Sequence, residues 1–493
     1  MFYLENYDYD LQSIQETRDL ARAGKAATDI LAGYDAEQID RIVQNMVRTA
    51  EVNAAELAAL AVEETGFGKI EDKIFKNRLA STELYESIRD TKTIGVIRED
   101  KANQLIEIAE PVGLLMGIIP STNPTSTTIF KSIIAIKARN GIIFSPHPSA
   151  KKSIMRAAEL MHAAAVEAGA PEGIIGCVTK PSMPATQELM KCDEIAMIIA
   201  TGGSAMVKSA YSAGKPALGV GPGNVPAYIE RTADIPKAVA NIIASKTFDY
   251  GTICASEQAV IVEECIRSQV IAEFERQGGY FMNQEETAKV ASKLFVKGHA
   301  MNSRLVGRSP QVIAETAGIQ IPTGVKVLLG EQQGVGEKFP LSYEKLTTVL
   351  AFYTVQDWRE ACDLSVGLLR NGGIGHSFSI HTQNHDMVME FAQKPVFRIL
   401  VNTGSTQGGV GASTGLAPAF TLGCGTWGGS ATSDNVGPQH LINIKRVAYG
   451  IKDCTAQSPY SVPTPQPPKQ QEDALLLNLV DELVSILQKS GDC

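Results

Sequence analysis

The sequence has no run of about 20 apolar residues, the length that a helix needs to span a bilayer, so no segment is expected to cross a membrane. It also has no Cys-x-x-Cys pair. Its eight cysteines (Cys177, Cys192, Cys254, Cys265, Cys362, Cys424, Cys454 and Cys493) are scattered, which argues against a structural zinc site, and no metal is expected. Long basic runs are missing as well. With 45 Lys and Arg against 54 Asp and Glu, the net charge is −9, a poor basis for neutralising phosphates, so no nucleic-acid partner is expected. The first residues, Met1-Phe-Tyr-Leu-Glu-Asn-Tyr-Asp8, lack a basic segment followed by an apolar one, and they are not expected to be a signal peptide. A chain of this length needs no disulfide staples, so reduced thiols and a cytoplasmic setting are expected. What is present is ordinary globular composition, 44% hydrophobic over 493 residues, too long for one core.

Residues 10–92 carry apolar positions at three- and four-residue spacing without proline, which predicts helices. Residues 93–110 alternate around a polar turn, Arg98-Glu-Asp-Lys-Ala-Asn103, which predicts a hairpin. Short apolar runs at Val112–Ile119, Gly141–Ser145, Ile174–Thr179 and Glu194–Ala200 then alternate with helical segments, one of them at about 150–168. Such buried strands separated by helices predict an α/β chain with a parallel, doubly wound sheet. A second α/β region is expected from 232, and 436–455 reads as another extended arm. Ser458–Pro468 holds five prolines in eleven residues, the composition of a stiff extended linker. Beyond it Leu476, Leu479, Val480, Leu483, Ile486 and Leu487 share one face of a predicted helix over 472–489.

The most informative segment is Lys246-Thr-Phe-Asp-Tyr-Gly-Thr-Ile-Cys-Ala-Ser256. Cys254 stands among small residues just after a glycine, which suits an accessible nucleophile; taken alone, the segment suits a buried core cysteine equally well. A cysteine attacking a carbonyl needs donors for the oxyanion. Asn123, in Ile118-Ile-Pro-Ser-Thr-Asn-Pro124 after a buried strand, could supply one with its amide, or could simply start an Asn-Pro turn. Thr201-Gly-Gly-Ser204 follows a strand and opens a helix, a place for a phosphate or a plain turn.

Asn123-Pro, Thr201-Gly-Gly-Ser204, Leu218-Gly-Val-Gly-Pro-Gly-Asn224, the Cys254 segment and Glu344-Lys-Leu-Thr-Thr-Val349 come in the order and spacing of the aldehyde dehydrogenase superfamily. Over about residues 10–455 the chain resembles its CoA-acylating branch, including the acetaldehyde and propionaldehyde dehydrogenases of bacterial microcompartments. The resemblance implies an aldehyde dehydrogenase-like fold, with a Rossmann-type cofactor domain over 1–231 that includes the hairpin, and an α/β catalytic domain over 232–435. It implies an oligomerisation arm over 436–455, followed by the proline-rich linker over 456–471 and the tail helix over 472–493. Cys254 would then be the nucleophile and Asn123 the oxyanion donor. Ser121, Thr122, His147, Pro148, Thr201, Gly202, Gly203, Ser204, Gly219 and Glu344 would surround NAD. His376, in Asn371-Gly-Gly-Ile-Gly-His-Ser377, would take a proton from CoA or orient a substrate; capping a strand end is the other reading.

Two departures sharpen the expectation. Hydrolytic members carry Glu-Leu-Gly-Gly-Lys, whose Glu activates water, whereas this chain has Ala217-Leu-Gly-Val-Gly221. Water without a base is a poor nucleophile, while a thiol already supplies some thiolate near neutrality, so an acyl-cysteine here would pass to CoA rather than to water. Where relatives often show Lys-Pro-Ser-Glu, this chain has His147-Pro-Ser-Ala150 followed by Lys151 and Lys152, which leaves NADP open beside NAD. The resemblance thus implies oxidation of a short aldehyde to its acyl-CoA in a homo-oligomer, dimer or tetramer. The tail helix resembles the encapsulation peptides that bring enzymes to microcompartment shell or cargo proteins, which would put the protein in the compartment lumen. Docking on its own oligomer and self-association remain open for that helix. The alternatives for the whole chain are a hydrolytic NAD(P)-dependent enzyme that releases free acid, and a non-catalytic cargo or scaffold protein.

Overall fold

The computed structural model describes residues 8–296, 300–452 and 471–489. The described residues fall into two units, one within Met1–Ile97 and Ile108–Lys445, the other within Arg98–Glu107 and Arg446–Cys493.

The first unit opens with helices. Ala36–Val52 is typical: Asp35 and Gln38 close a reciprocal capping box, with Gln38 N–H donating to Asp35 Oδ1 at 2.8 Å and Asp35 N–H to Gln38 Oε1 at 2.9 Å. Ile39, Ile42, Val43, Met46 and Ala50 then recur on one buried face.

Strands β1 (Gly95–Asp100) and β2 (Leu105–Pro111) make the expected hairpin. After it come β3 (Leu114–Ile119), β4 (Ile142–Pro146), β5 (Ile175–Cys177), β6 (Ile195–Thr201) and β7 (Ala217–Val220). These five form a wholly parallel sheet in the order β5-β4-β3-β6-β7. The order reverses between β3 and β6, and a crevice forms beyond the carboxyl ends of strands at such a switch point. The helix Pro124–Lys137, buried along its whole length, packs beside this sheet. Its Lys131 cannot reach solvent and donates instead to the carbonyls of Ile118 and Ile199, at 2.7 and 2.9 Å.

Strands β8 (Val225–Ile229), β9 (Glu257–Glu263), β10 (Gly279–Met282), β11 (Val327–Glu331), β12 (Val349–Val355), β13 (Gly375–His381) and β14 (Val396–Val401) form a second parallel sheet, in the order β10-β11-β12-β9-β8-β13-β14. It begins at Val225, ahead of the boundary expected at 232. The α/β class with parallel, doubly wound sheets is as expected. Two strands are shorter than their apolar runs, each for a local reason. β3 starts at Leu114 because Gly113 sits at φ +122° and gives its N–H to Asn140 Oδ1. β5 stops at Cys177 because the Glu16 carboxylate takes the next free N–H groups, those of Thr179 and Lys180.

β15 (Ile442–Ala448) lies beside β2 in a three-stranded sheet. Within the second unit Arg446 Nε pairs with Glu107 Oε1 at 3.0 Å, and Tyr449 N–H donates to Gln104 C=O. This unit also holds the helix Gln471–Lys489, close to the expected 472–489. The proline-rich stretch falls outside the described residues, apart from its last residue, Gln471.

Candidate active site

Cys254 stands in the short loop between the turn Phe248–Gly251 and β9. A cavity of about 240 Å³ reaches it, lined also by Ser121, Thr122, Asn123, His147, Thr201, Gly202, Gly203, Thr252 and Glu344. These residues come from five separate parts of the chain: the carboxyl ends of β3, β4 and β6 deliver the loops at 120–123, 147 and 201–203, while the segments ahead of β9 and β12 present Cys254 and Glu344.

The glycines around the sulfur are there because backbone passes close. A Cβ on Gly223 would lie 2.0 Å from the Cys254 carbonyl oxygen and 3.3 Å from the His376 ring. Gly251 is at φ +74°, with a Cβ position 2.9 Å from the Thr347 carbonyl oxygen.

His376, at the start of β13, is completely buried. Its Nε2 is 3.1 Å from Cys254 Sγ, and its Nδ1 is 3.0 Å from the Ser377 hydroxyl. Burial drives the imidazole well below its ordinary pKa, with the Arg398 charge acting in the same direction. Burial pushes the Cys254 thiol up to about 12, and the Glu344 carboxylate adds to this while Arg398 opposes it. At neutral pH the pair is therefore thiol and neutral imidazole, not thiolate and imidazolium.

Asn123 precedes the helix Pro124–Lys137 and does not cap it with its side chain. Its Oδ1 accepts from Lys76 Nζ at 2.7 Å, and its Nδ2 donates to Thr122 Oγ1 at 3.1 Å and to the Thr252 carbonyl at 3.4 Å. Glu344 Oε1 accepts the Gly223 N–H at 2.8 Å, and burial lifts this carboxyl to about 7. Ala217 is buried at the start of β7 and does not line the cavity.

A second cavity, about 540 Å³, shares Pro120, His147, Thr201, Gly202 and Gly203 with the first. Ile118, Pro146, Pro148, Met183 and Met206 give it apolar walls, and Ser204 lies at its edge as the first residue of the helix Ser204–Tyr211. A Cβ at Gly202 or Gly203 would meet no heavy atom within 4 Å, so open space lies beside this backbone. An apolar slot beside an open backbone cradle at a helix start fits a dinucleotide. His147 takes the Ser149 N–H on Nδ1 at 3.2 Å, and burial lowers its pKa. Gly219 lines neither cavity. A Cβ there would meet Tyr211 and Val207, each at 2.7 Å, and its N–H already donates to the Tyr211 hydroxyl at 2.8 Å, so it has no proton to give a ligand.

Sequence reasoning missed Lys73, Lys76 and Asp249. Asp249 lies inside the quoted cysteine segment, and the two lysines sit three residues apart on the helix Ile70–Arg78, within the stretch read only as helical. All three side chains are buried.

Residues 8–279 match the model of the aldehyde dehydrogenase family, more than half of the chain. The chain belongs to the aldehyde dehydrogenase family. Its fold of parallel sheets agrees with solved acylating relatives. An acetylating aldehyde dehydrogenase from Geobacillus thermoglucosidasius superposes with a TM-score of 0.89 at 54% identity, covering 90% of this chain and 99% of that one. A propionaldehyde dehydrogenase from Rhodopseudomonas palustris, solved with bound CoA and an acylated cysteine, gives a TM-score of 0.80 at 26% identity, over 88% of this chain and 97% of that one. The bifunctional aldehyde-alcohol dehydrogenase of Escherichia coli is 45% identical over 442 residues, 88% of this chain. This chain spans about half the length of the aldehyde-alcohol dehydrogenases it matches, 50% in the Escherichia coli case.

Proposed function

We propose that this chain oxidises a short aldehyde to its acyl-CoA through a thioester on Cys254. The observation that carries the reading is the 3.1 Å contact between the Cys254 sulfur and a buried, neutral His376, beside a cavity that both Cys254 and Asn123 line. Cys254 adds to the aldehyde carbonyl as its proton passes to His376 Nε2. The oxyanion takes hydrogen bonds from Asn123 Nδ2 and from the Cys254 backbone N–H. A nicotinamide dinucleotide, when bound, supplies the hydride acceptor. Thr201, Gly202, Gly203 and Ser204 would hold its phosphates, His147 and Pro148 its adenosine, and Glu344, with Ser121 and Thr122, the nicotinamide end. Loss of hydride leaves an acyl-Cys254 thioester. His376 gives its first proton up to solvent; the CoA thiol then attacks the thioester carbon as its proton passes to His376 Nε2, and the carbon–sulfur bond to Cys254 breaks, the departing sulfur taking that proton back from His376.

No carboxylate among the described residues lines the adenosine slot, so nothing there repels a 2′-phosphate; NAD is our choice, and NADP fits as well. Glu344 is the only carboxylate lining the cysteine cavity among the described residues, and this observation favours a second reading in which it serves as a base for water. The Gly223 N–H already occupies one of its oxygens, which supports the CoA reading. Incubation with acetaldehyde or propionaldehyde and NAD⁺, with and without CoA, separates the two. Sustained NADH formation only with CoA is expected; equal turnover without it would establish hydrolysis.

We also propose that the enzyme is a homo-oligomer and microcompartment cargo. Leu475, Leu476, Leu479, Val480, Leu483 and Val484 of the tail helix are all exposed, between 47% and 68%. At 100° per residue the apolar positions of this helix cover an arc of about 200°, wider than the stripe of a helix lying on a flat core, which suits capture in a groove of a shell or cargo protein. Residues 465–493 fused to a fluorescent protein should gather in assembled compartments; diffuse fluorescence beside them would remove the cargo role.

A further inference from the structure

We infer that Lys76, clamped by Asp249, is the positioning residue that aims the Asn123 amide at the oxyanion. The inference rests on the roles proposed above for Cys254 and Asn123. It gives the helix Ile70–Arg78, which lines neither cavity at the site, control over the electrophilic half of the chemistry.

The geometry is specific. Lys76 Nζ has three protons and three acceptors: Asn123 Oδ1 at 2.7 Å, Thr252 Oγ1 at 3.0 Å, and Asp249 Oδ2. An ammonium only donates, so it binds the oxygen of the Asn123 amide and turns the NH₂ away from itself. That NH₂ gives one proton to Thr122 Oγ1 at 3.1 Å and the other, over a long 3.4 Å, to the Thr252 carbonyl on the cysteine loop, and this weakly held second proton is the one an incoming oxygen would take. A charge on the amide oxygen also polarises the amide and makes its N–H a stronger donor. Lys73 Nζ holds the adjoining Thr122 carbonyl at 3.2 Å and shares Asp249 at 2.9 Å. Both sides of the site thus hang on one carboxylate: the turn at 122–123 through the lysines, and the cysteine loop through Thr252, whose hydroxyl donates to Asp249 Oδ2 at 2.6 Å.

Asp249 itself is held against backbone preference. It and Tyr250 sit at φ +48° and +51°, a region that non-glycine residues rarely occupy and that persists only where the surroundings fix it. Its N–H donates to Asp72 Oδ2 at 2.7 Å, and its Oδ1 accepts the Lys69 N–H at 2.8 Å. A Cβ on Gly68 would lie 1.8 Å from Asp249 Oδ1. Burial works against the Asp249 carboxylate, yet Lys76 and Lys73 together hold it below the usual carboxylate range, while burial brings Lys76 down to about 8 against the pull of Asp249. An ion cluster needed only for folding would not have to end on the amide that faces the reacting carbon.

Two probes of Cys254 separate positioning from folding, and neither needs nicotinamide or CoA. With p-nitrophenyl acetate the sulfur attacks the acyl carbon through a tetrahedral oxyanion and expels p-nitrophenolate. With iodoacetamide it displaces iodide from a saturated carbon, and no oxyanion forms. Both products are read on the Cys254 peptide. Loss of one oxyanion donor typically lowers rates by about 10²–10³, so Lys76→Met should slow acylation by about 10–100-fold and leave alkylation within about threefold. On an Asn123→Ala background, Lys76→Met should change acylation by less than about threefold, because it acts through that amide. Lys76→Leu, which like Lys76→Met leaves Asp249 paired with Lys73 and so no lone buried charge, should repeat the same pattern. Equal slowing of both probes, slowing of neither, or full additivity with Asn123→Ala would overturn the proposal. So would failure of both neutral variants to fold. A wild type without CoA-dependent turnover would sink the proposed function while leaving this test intact.

Discussion

The resting ionisation of Cys254 can be tested by titration. A thiol moved from 9.0 up to about 12 is ionised about a thousandfold less at pH 7, which corresponds to about 4 kcal/mol at 1.36 kcal/mol per pH unit. Part of the sulfur faces the cavity, so solvent will trim that figure, and about tenfold is the smallest effect that still decides the matter. Burial is the main cause and the Glu344 charge the next, so Glu344→Gln should lower the thiol's pKa and speed alkylation. The assay is the second-order rate of iodoacetamide modification between pH 6.5 and 10, quantified on separate peptides, with exposed Cys265 as the internal reference. Cys254 should react at least about tenfold more slowly than an ordinary thiol at pH 7.5, and its rate should keep rising with pH where an ordinary thiol has begun to level off. Bound NAD⁺, which brings a positive ring, should accelerate it. A plateau for Cys254 below pH 8, the mark of a thiolate–imidazolium pair, would refute the assignment of neutral partners.

Gly223→Ala should cut turnover by more than about a hundredfold, because its Cβ would collide with the Cys254 carbonyl and a displacement of about an ångström at a reacting group costs that much; single-turnover acylation of Cys254 checks it. Gly68→Ala should lower stability by about 2–4 kcal/mol in urea titration, since φ is +76° and the new methyl would strike Asp249. Glu257 and Glu344 are both pushed up to about 7 by burial. The folded chain therefore retains protons that the unfolded chain has lost, so these groups contribute stability that is present below pH 4.5 and lost as pH rises through 7. Glu257→Gln should flatten that slope by up to one proton in thermal melts between pH 4.5 and 8.

Much of the fold was legible because its signals are local. Buried parallel strands show as continuous apolar runs, and the helix Ala36–Val52 shows in its spacing and its Asp35 cap. Strand ends were less legible, because Gly113 and the distant Glu16 carboxylate decide where β3 and β5 stop, and neither acts through apolar pattern. The same contrast holds at the site. Cys254, Asn123 and Glu344 stood in recognisable motifs, and they line one cavity. Gly219 stood in a motif too, but packs against Tyr211 instead. Lys73 and Lys76 carried no warning. Helical spacing of charges suggests a solvated face, and only the fold reveals that Asp249, 173 positions beyond Lys76, turns that face inward.

The central claim is that Cys254 carries the acyl group until a thiol removes it. Mixing the enzyme with propionaldehyde and NAD⁺ but no CoA, then mapping peptides by mass, tests it directly. One propionyl group on Cys254 is expected, lost on adding CoA with an equal amount of propionyl-CoA formed. Free propionate accumulating over many turnovers without CoA, or an acyl group found on any other residue, would contradict it.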